Sequence, residues 1–378
     1  MKKYVCMLVA AFALTFALAA CGNTVEPVAQ LATGPDVAQP TPPALTTPDV
    51  DEPIYRPREI VTITDFNENV VNVRQNPTVV AIYDWGVLDM MYTIGFERFG
   101  IETLIIPNPD GIPGVLSGIN NLQDVRVFNG GTLFYVNWDV LDLLQPELII
   151  LGARSFGMNA AGDRLSADDN AAFRADTEAR YADTAFIRLT INAQSSDLLN
   201  DMRNNAYALA QIWPHMADYL TAEFYEIEAG MAYVNAIAAA SGMTAAFLMM
   251  TTPTNLSLFL EGSRMGMVFD EFGFIPAVAT EDIGLFSDQH GFESRAEFIL
   301  ALDPDIIFLL DRNEMNDNIP ESAGHAALLA DPIIQRTNAF ANGHIYALYP
   351  QEWYTVVGGF GSARQMIADM MRFVESIR

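Results

Sequence analysis

The chain carries an internal repeat without gaps: residues 138–154, WDVLDLLQPELIILGAR, align on residues 296–312, AEFILALDPDIIFLLDR. Each copy reads as a helix, a Leu-x-Pro-acid turn, a buried strand and an arginine eight residues after the proline, Arg154 after Pro146 and Arg312 after Pro304. One helix-strand unit present in both halves calls for two lobes of like construction. Around each copy short β-branched runs alternate with helical patterns, at 78–83, 104–106 and 148–151 in the first half and at 246–249 and 306–310 in the second. That alternation predicts α/β lobes with mostly parallel sheets. Between them, residues 195–242 show helical periodicity and no strand pattern, broken once at Trp213-Pro214. Proline is tolerated in a first helical turn, so 215–240 predicts one helix of about 38 Å. The expected fold class is therefore α/β, with two lobes, 58–213 and 241–378, built on mostly parallel central sheets and joined by one long backbone helix at 214–240.

In open α/β sheets ligands bind beyond the carboxyl ends of the strands. Arg154 and Arg312 then stand where each lobe would meet a ligand held between them. Each copy also places a carboxylate seven residues before its proline, Asp139 and Glu297, near a helix start where the helix dipole favours negative charge.

The first residues have a different purpose. A basic start (Lys2, Lys3), an apolar run and Leu18-Ala19-Ala20-Cys21 form an export signal over 1–20. The junction resembles the lipobox of bacterial lipoproteins, in which the cysteine thiol is lipidated; Cys21 is the expected lipidation site. Residues 21–57 are rich in Pro, Thr, Ala and acids, with a single aromatic, Tyr55, and predict an extended tether that builds no core. No later apolar run reaches the roughly 18 residues a membrane span needs. The protein is expected on the outer face of the bacterial cytoplasmic membrane, held there by the Cys21 lipid. Cys6 leaves with the signal, so disulfide, zinc-thiolate and thiol-nucleophile chemistry are not expected.

Charge removes another class. The 378 residues hold 47 acidic and 20 basic side chains, a formal net of −27, and the only lysines are Lys2 and Lys3. Nucleic-acid binding rests on clustered Lys and Arg that neutralise phosphates, so no nucleic-acid partner is expected. HExxH, CxxC, Walker and G-x-S-x-G motifs are absent, and Gly358-Gly359-Phe360-Gly361-Ser362 does not fit the dinucleotide-binding spacing. His215, His325 and His344 are widely scattered, unlike the converging ligands of a zinc or manganese carrier.

Several ordered segments resemble one family. They are AIYDWGVLDMMYTIG at 81–95, PELIILGAR ending at Arg154, GSRMG around Arg264, DQHG around His290, DPDIIFLLDRN through Arg312 and IYALYPQEWY ending at Tyr354. Together they resemble the single-helix-hinged (class III) substrate-binding lipoproteins of ABC importers, most of all the petrobactin-type ferric catecholate siderophore-binding proteins. The resemblance implies no enzyme activity and no cofactor, a ferric siderophore as ligand, an ABC permease as partner, and a monomer. It implies that Arg154, Arg264 and Arg312 face the cleft and pair with the anionic complex. It also implies that His290 and Tyr354 complete the iron coordination when the siderophore leaves sites open, and that Asp139 and Glu297 dock on arginines of the permease. Asp139 departs from a more usual glutamate and has a shorter reach.

The residue chemistry agrees with that expectation. A ferric tris-catecholate carries a charge of 3−, and guanidinium groups stay charged, stack on aromatic faces and present a planar fork of donors. Ferric iron is hard and favours phenolate oxygen. Haem or cobalamin on the same architecture is the alternative reading, and a tethered extracellular hydrolase a more distant one.

Overall fold

A computed structural model describes residues 58–158, 163–191, 197–252, 255–279 and 291–377. The export signal, Cys21, the tether and His290 lie outside the described residues.

The described chain opens with a hairpin, β1 (Ile60–Thr64) against β2 (Val70–Arg74), antiparallel and half buried in alternation. The first lobe follows. Its strands β3 (Val79–Tyr83), β4 (Thr103–Ile106), β5 (Arg126–Asn129), β6 (Leu148–Leu151) and β7 (Ala185–Arg188) form an all-parallel sheet in the order β5-β4-β3-β6-β7. The central strands are buried along almost their whole length, as expected when helices cover both faces of a parallel sheet. The helices are α1 (Trp85–Ile94), α2 (Trp138–Leu144), α3 (Ala167–Arg180) and α4 (Leu198–Ile212), besides shorter turns.

Next comes the long helix α5 (Ala217–Ser241), preceded by a 3-10 turn, Pro214–Met216. It starts two residues later than the periodicity suggests, because Trp213-Pro214 hold the entry as a tighter turn. Its buried residues Leu220, Phe224, Ile227, Met231, Val234 and Ala238 recur every three or four positions, so one stripe faces the core. Its 25 residues span about 38 Å at 1.5 Å each.

The second lobe carries β8 (Thr244–Thr252), β9 (Asn255–Phe259), β10 (Ile275–Pro276), β11 (Phe292–Ser294), β12 (Ile306–Asp311) and β13 (Ile345–Ala347). Their order is β11-β9-β8-β12-β13, with β10 beside β8. β8, β10, β12 and β13 pair in parallel, while β9 and β11 make an antiparallel edge that the sequence reading does not contain. Helices α6 (Ala296–Leu302), α7 (Ala323–Ala330) and α8 (Phe360–Ser376) cover the sheet.

The repeat extends to individual hydrogen bonds. Helices α2 and α6 each end on a residue in the left-handed region, Gln145 (φ 46°) and Asp303 (φ 45°), followed by the proline that prevents further helix. The acid after each proline then tethers a threonine beside the neighbouring strand. Glu147 Oε1 accepts from the Thr78 N–H and hydroxyl at 3.1 and 3.2 Å; Asp305 Oδ2 accepts from the same two groups of Thr244 at 2.9 and 3.0 Å. These bonds set the start of β3 against β6 and of β8 against β12.

One apolar cluster runs through both lobes, including Ile82, Trp85, Phe247, Phe308 and Phe360 together with the buried stripe of α5. Where α1 meets the 357–361 turn the backbones approach closely. A Cβ on Gly86 would stand 2.7 Å from the Val357 carbonyl oxygen, and one on Gly359 would overlap the Asp89 carboxylate. Asp89 of α1 accepts from the Ser362 N–H at 2.7 Å, so a first-lobe carboxylate caps helix α8. The Gly358–Ser362 run that fits no nucleotide motif is thus a joint between the lobes.

Candidate functional site

Strands β3, β6 and β7 deliver three chain segments to one edge of the first lobe. β3 runs into Asp84, the N-cap of α1; β6 runs into Gly152-Ala153-Arg154; β7 is followed by Leu189-Thr190-Ile191. From the second lobe come Arg264, in the turn after β9, Arg312, next after β12, and Tyr354, in the π-turn Gln351–Thr355. All these segments meet across a cleft. A space of about 540 Å³ is lined by Arg154, Arg164, Arg264, Arg312 and Tyr354, with Phe134, Met158 and Met315 among its apolar walls. A smaller recess of about 160 Å³ shares Arg154, Arg264 and Tyr354 and adds Asp84, Trp85, Thr190 and Ile191.

Arg264 is only 8% exposed. It donates from Nη2 to the Tyr354 carbonyl oxygen at 2.7 Å, and its guanidinium lies 4.0 Å from the Tyr354 ring centroid. Its Nε has no partner among the described residues. Burial pushes its pKa down to about 10, with Arg154 and Arg312 acting in the same direction against a raising effect of Tyr354. It remains a cation at neutral pH. Arg312 covers the same ring at 5.2 Å. Tyr354 is itself only 6% exposed. None of Arg154, Arg164, Arg264 and Arg312 forms an ion pair with a carboxylate among the described residues.

Among the described residues Asp84 is the only carboxylate that lines either space. Its Oδ1 accepts from the Gly86 and Val87 N–H groups at 2.9 and 3.1 Å, and its Oδ2 from the Thr190 hydroxyl at 2.9 Å. The Thr190 oxygen in turn accepts from the Ala153 N–H at 3.3 Å, so Asp84 and Thr190 together place the backbone just before Arg154. Gly152 allows this approach: a Cβ there would stand 2.7 Å from Asp84 Oδ2. Burial raises the Asp84 pKa, against the hydrogen bonds and the Arg154 charge that lower it. Behind it Arg188 donates to the Gly152 carbonyl oxygen at 2.9 Å, and burial lowers its pKa.

Four of the residues singled out in the sequence, Arg154, Arg264, Arg312 and Tyr354, share the cleft. Asp139 and Glu297 do not line it; both are exposed, in the first turns of α2 and α6. Trp353 is fully buried and donates to Asp369 at 2.8 Å, so Trp85 is the tryptophan that faces the cleft. The sequence reading passed over Asp84, Arg164 and Thr190. Asp84 directly follows a recognisable parallel strand and was open to the rule that singled out Arg154; no motif surrounds Arg164. Among the described residues no group of three His, Cys, Asp or Glu side chains converges to hold a metal ion, and no helix is long and apolar enough to cross a membrane.

Residues 80–352 match the family described as periplasmic binding protein. The chain is similar to the petrobactin-binding protein YclQ of Bacillus subtilis, with 24% identity over 317 residues that cover 83% of this chain and 88% of the relative. It is also similar to the ferric-anguibactin-binding protein FatB of Vibrio anguillarum, at 22% over 324 residues, or 85% and 90% of the two chains. The crystal structure of the periplasmic catecholate-siderophore binding protein VctP from Vibrio cholerae has the same fold. It superposes with a TM-score of 0.66 at 22% identity, covering 83% of this chain and all of that one.

Proposed function

The chain belongs to the periplasmic binding protein family, and from that premise we propose that it captures a ferric siderophore of catecholate type between its lobes and hands it to an ABC permease for iron uptake. One observation carries this reading: Arg154, Arg264 and Arg312, from both lobes, line a single cleft and form no ion pair with a carboxylate among the described residues. Like charges so placed repel one another in the empty protein, and an anionic complex relieves that repulsion as it binds. The acidic surface does not cancel them, because at physiological salt fields fade over about 8 Å. The ligands named for the two relatives, petrobactin and anguibactin, point the same way.

Tyr354 offers a phenol oxygen, and His290, outside the described residues, a nitrogen, to an iron whose siderophore leaves positions open. The lobes are 58–213 and 241–378, hinged on the helix region 214–240. Signal 1–20 directs export, the lipid on Cys21 and tether 21–57 hold the monomeric body outside the cytoplasmic membrane, and Asp139 and Glu297 dock on arginines of the permease. The protein makes and breaks no bond.

The test is a titration of the full-length chain with ferric bis- and tris-catecholates, ferric hydroxamates, haem and cobalamin, read by Trp85 fluorescence. Saturable quenching by the catecholates is expected. Tight hydroxamate binding with no response to catecholate overturns the proposal.

A further inference from the structure

Asp84 presents a puzzle within the cleft. Among the described residues, a pocket for an anion is lined by four guanidinium groups and yet keeps one carboxylate, held at the recess that Arg154, Arg264 and Tyr354 also line. Among the described residues its charged neighbours are Arg154 beyond β6 and Arg188 on β7, with Arg264 across the recess from the second lobe, which Tyr354 also lines. Its hydrogen-bond partners are the N–H groups that open α1 and the Thr190 hydroxyl. Two of these constraints pull in opposite directions. The capping bonds and Arg154 favour the carboxylate, whereas burial, and any anion placed in the recess, favour the neutral acid. The lining arginines do not release protons at neutral pH, so Asp84 is the group in the recess best placed to respond to an arriving negative charge.

Resting on the reading that the ligand is a ferric catecholate anion, we infer that its capture takes up one proton on Asp84, and that the protonated acid turns the Thr190 hydroxyl into a hydrogen-bond donor to the ligand. In the empty cleft Thr190 spends its hydroxyl hydrogen on Asp84 Oδ2 and accepts from the Ala153 N–H. Once Oδ2 carries the proton, that bond reverses. Asp84 donates to the Thr190 oxygen, whose second lone pair still receives the Ala153 N–H, and the threonine hydrogen is released toward the recess that Thr190 lines. Oδ1 keeps its two N–H donors throughout, so helix α1 stays capped. The proton comes from solvent and no covalent bond to carbon or iron changes. A carboxylate that repels the anion becomes half of a donor pair that holds it.

Isothermal titration of the full-length chain with the ferric complex of a hexadentate tris-catecholamide, in HEPES and in Tris, reads the proton count from the difference in buffer ionisation heat. Close to one proton should enter per ligand near pH 7, with Kd rising toward about tenfold per pH unit above it. Asp84→Asn keeps a competent cap and is expected to bind with no proton uptake and with a flat pH profile. Thr190→Val should still take up the proton but bind about tenfold more weakly, and Thr190→Ser should recover the affinity. Wild-type binding with no proton uptake, or unchanged uptake in Asp84→Asn, overturns the inference and leaves the siderophore reading standing. Full affinity in Thr190→Val overturns the threonine's part. Failure of the wild type to bind any ferric catecholate overturns the siderophore reading, and this inference with it.

Discussion

Arg264 donates to the carbonyl oxygen of Tyr354 at 2.7 Å and lays its guanidinium 4.0 Å from the centroid of the same residue's ring. Backbone and side chain of one tyrosine thus hold an arginine 90 positions away in sequence. Arg312 rests on the same ring at 5.2 Å, so Tyr354 organises two of the cleft cations at once. Each such contact contributes about 0.5–2 kcal/mol according to how far it is desolvated.

If Tyr354 acts through its ring, Tyr354→Phe retains ferric catecholate affinity within a few-fold while Tyr354→Ala loses more than Arg312→Ala does. Arg312→Ala alone should weaken binding at least tenfold, corresponding to about 1.4 kcal/mol. Calorimetric Kd values for the three variants decide between the roles. A loss in Tyr354→Phe equal to that in Tyr354→Ala would assign the effect to the hydroxyl, and with it to direct contact with the ligand or its iron.

The joint between the lobes predicts a sign that helix propensity alone gets wrong. Alanine is favoured over glycine inside a helix by about 1 kcal/mol. At Gly86, however, the added Cβ meets the Val357 backbone oxygen at 2.7 Å, and a backbone carbonyl has no rotamer to yield. Overpacking of that kind costs about 1–3 kcal/mol, so Gly86→Ala should lower the urea midpoint with an unchanged m value. A raised midpoint would mean that the joint opens without cost.

Asp89, which caps α8 from the other lobe, has its pKa raised to about 6 by burial, against the lowering effect of the Ser362 groups. The unfolded chain titrates near 3.9. Between these values the folded state holds a proton that the unfolded state has lost, so this stability is fully present below about pH 4 and disappears as pH rises through about 6. Asp89→Asn removes the titration but keeps an acceptor for the Ser362 N–H. Lowering pH from 7.5 to 5 should therefore raise the melting temperature of the wild type relative to the variant; a difference that stays constant with pH would refute the assignment.

Asp139 and Glu297 are exposed at equivalent first turns of α2 and α6, outside the cleft. Charge reversal with Asp139→Arg or Glu297→Arg should leave ferric catecholate Kd unchanged and depress radio-iron uptake by whole cells severalfold. A normal uptake rate would reduce both acids to helix-dipole partners.

Much of this arrangement is legible before any coordinates. The repeat exposes the two-lobed plan because a helix, a Pro-acid turn and a buried strand each leave local signatures, and it places Arg154 and Arg312 after a strand, where both line the cleft. Tyr354 was reached only through resemblance, and the π-turn that presents it was not read at all. The β1–β2 hairpin and the antiparallel edge of the second sheet were not read, since short alternating strands leave a weaker pattern than buried parallel ones. The tighter turn before α5 shifted a helix start by two residues, the ordinary consequence of a proline at a helix entrance.

The sequence by itself determined the α/β class, the paired lobes, the long helix and the two arginines that follow repeat strands, Arg154 and Arg312, because each depends on contacts close along the chain; Arg264 was reached through resemblance. Tertiary structure alone decided that Arg264 is clamped by Tyr354, that Arg164 joins the same cleft, and that Asp84 reaches Thr190 across 106 positions. It also gave the glycine run at 358–361 its meaning as a joint. Those features rest on how closely two distant backbones approach, and such distances are set by the packing of both lobes together rather than by any local segment.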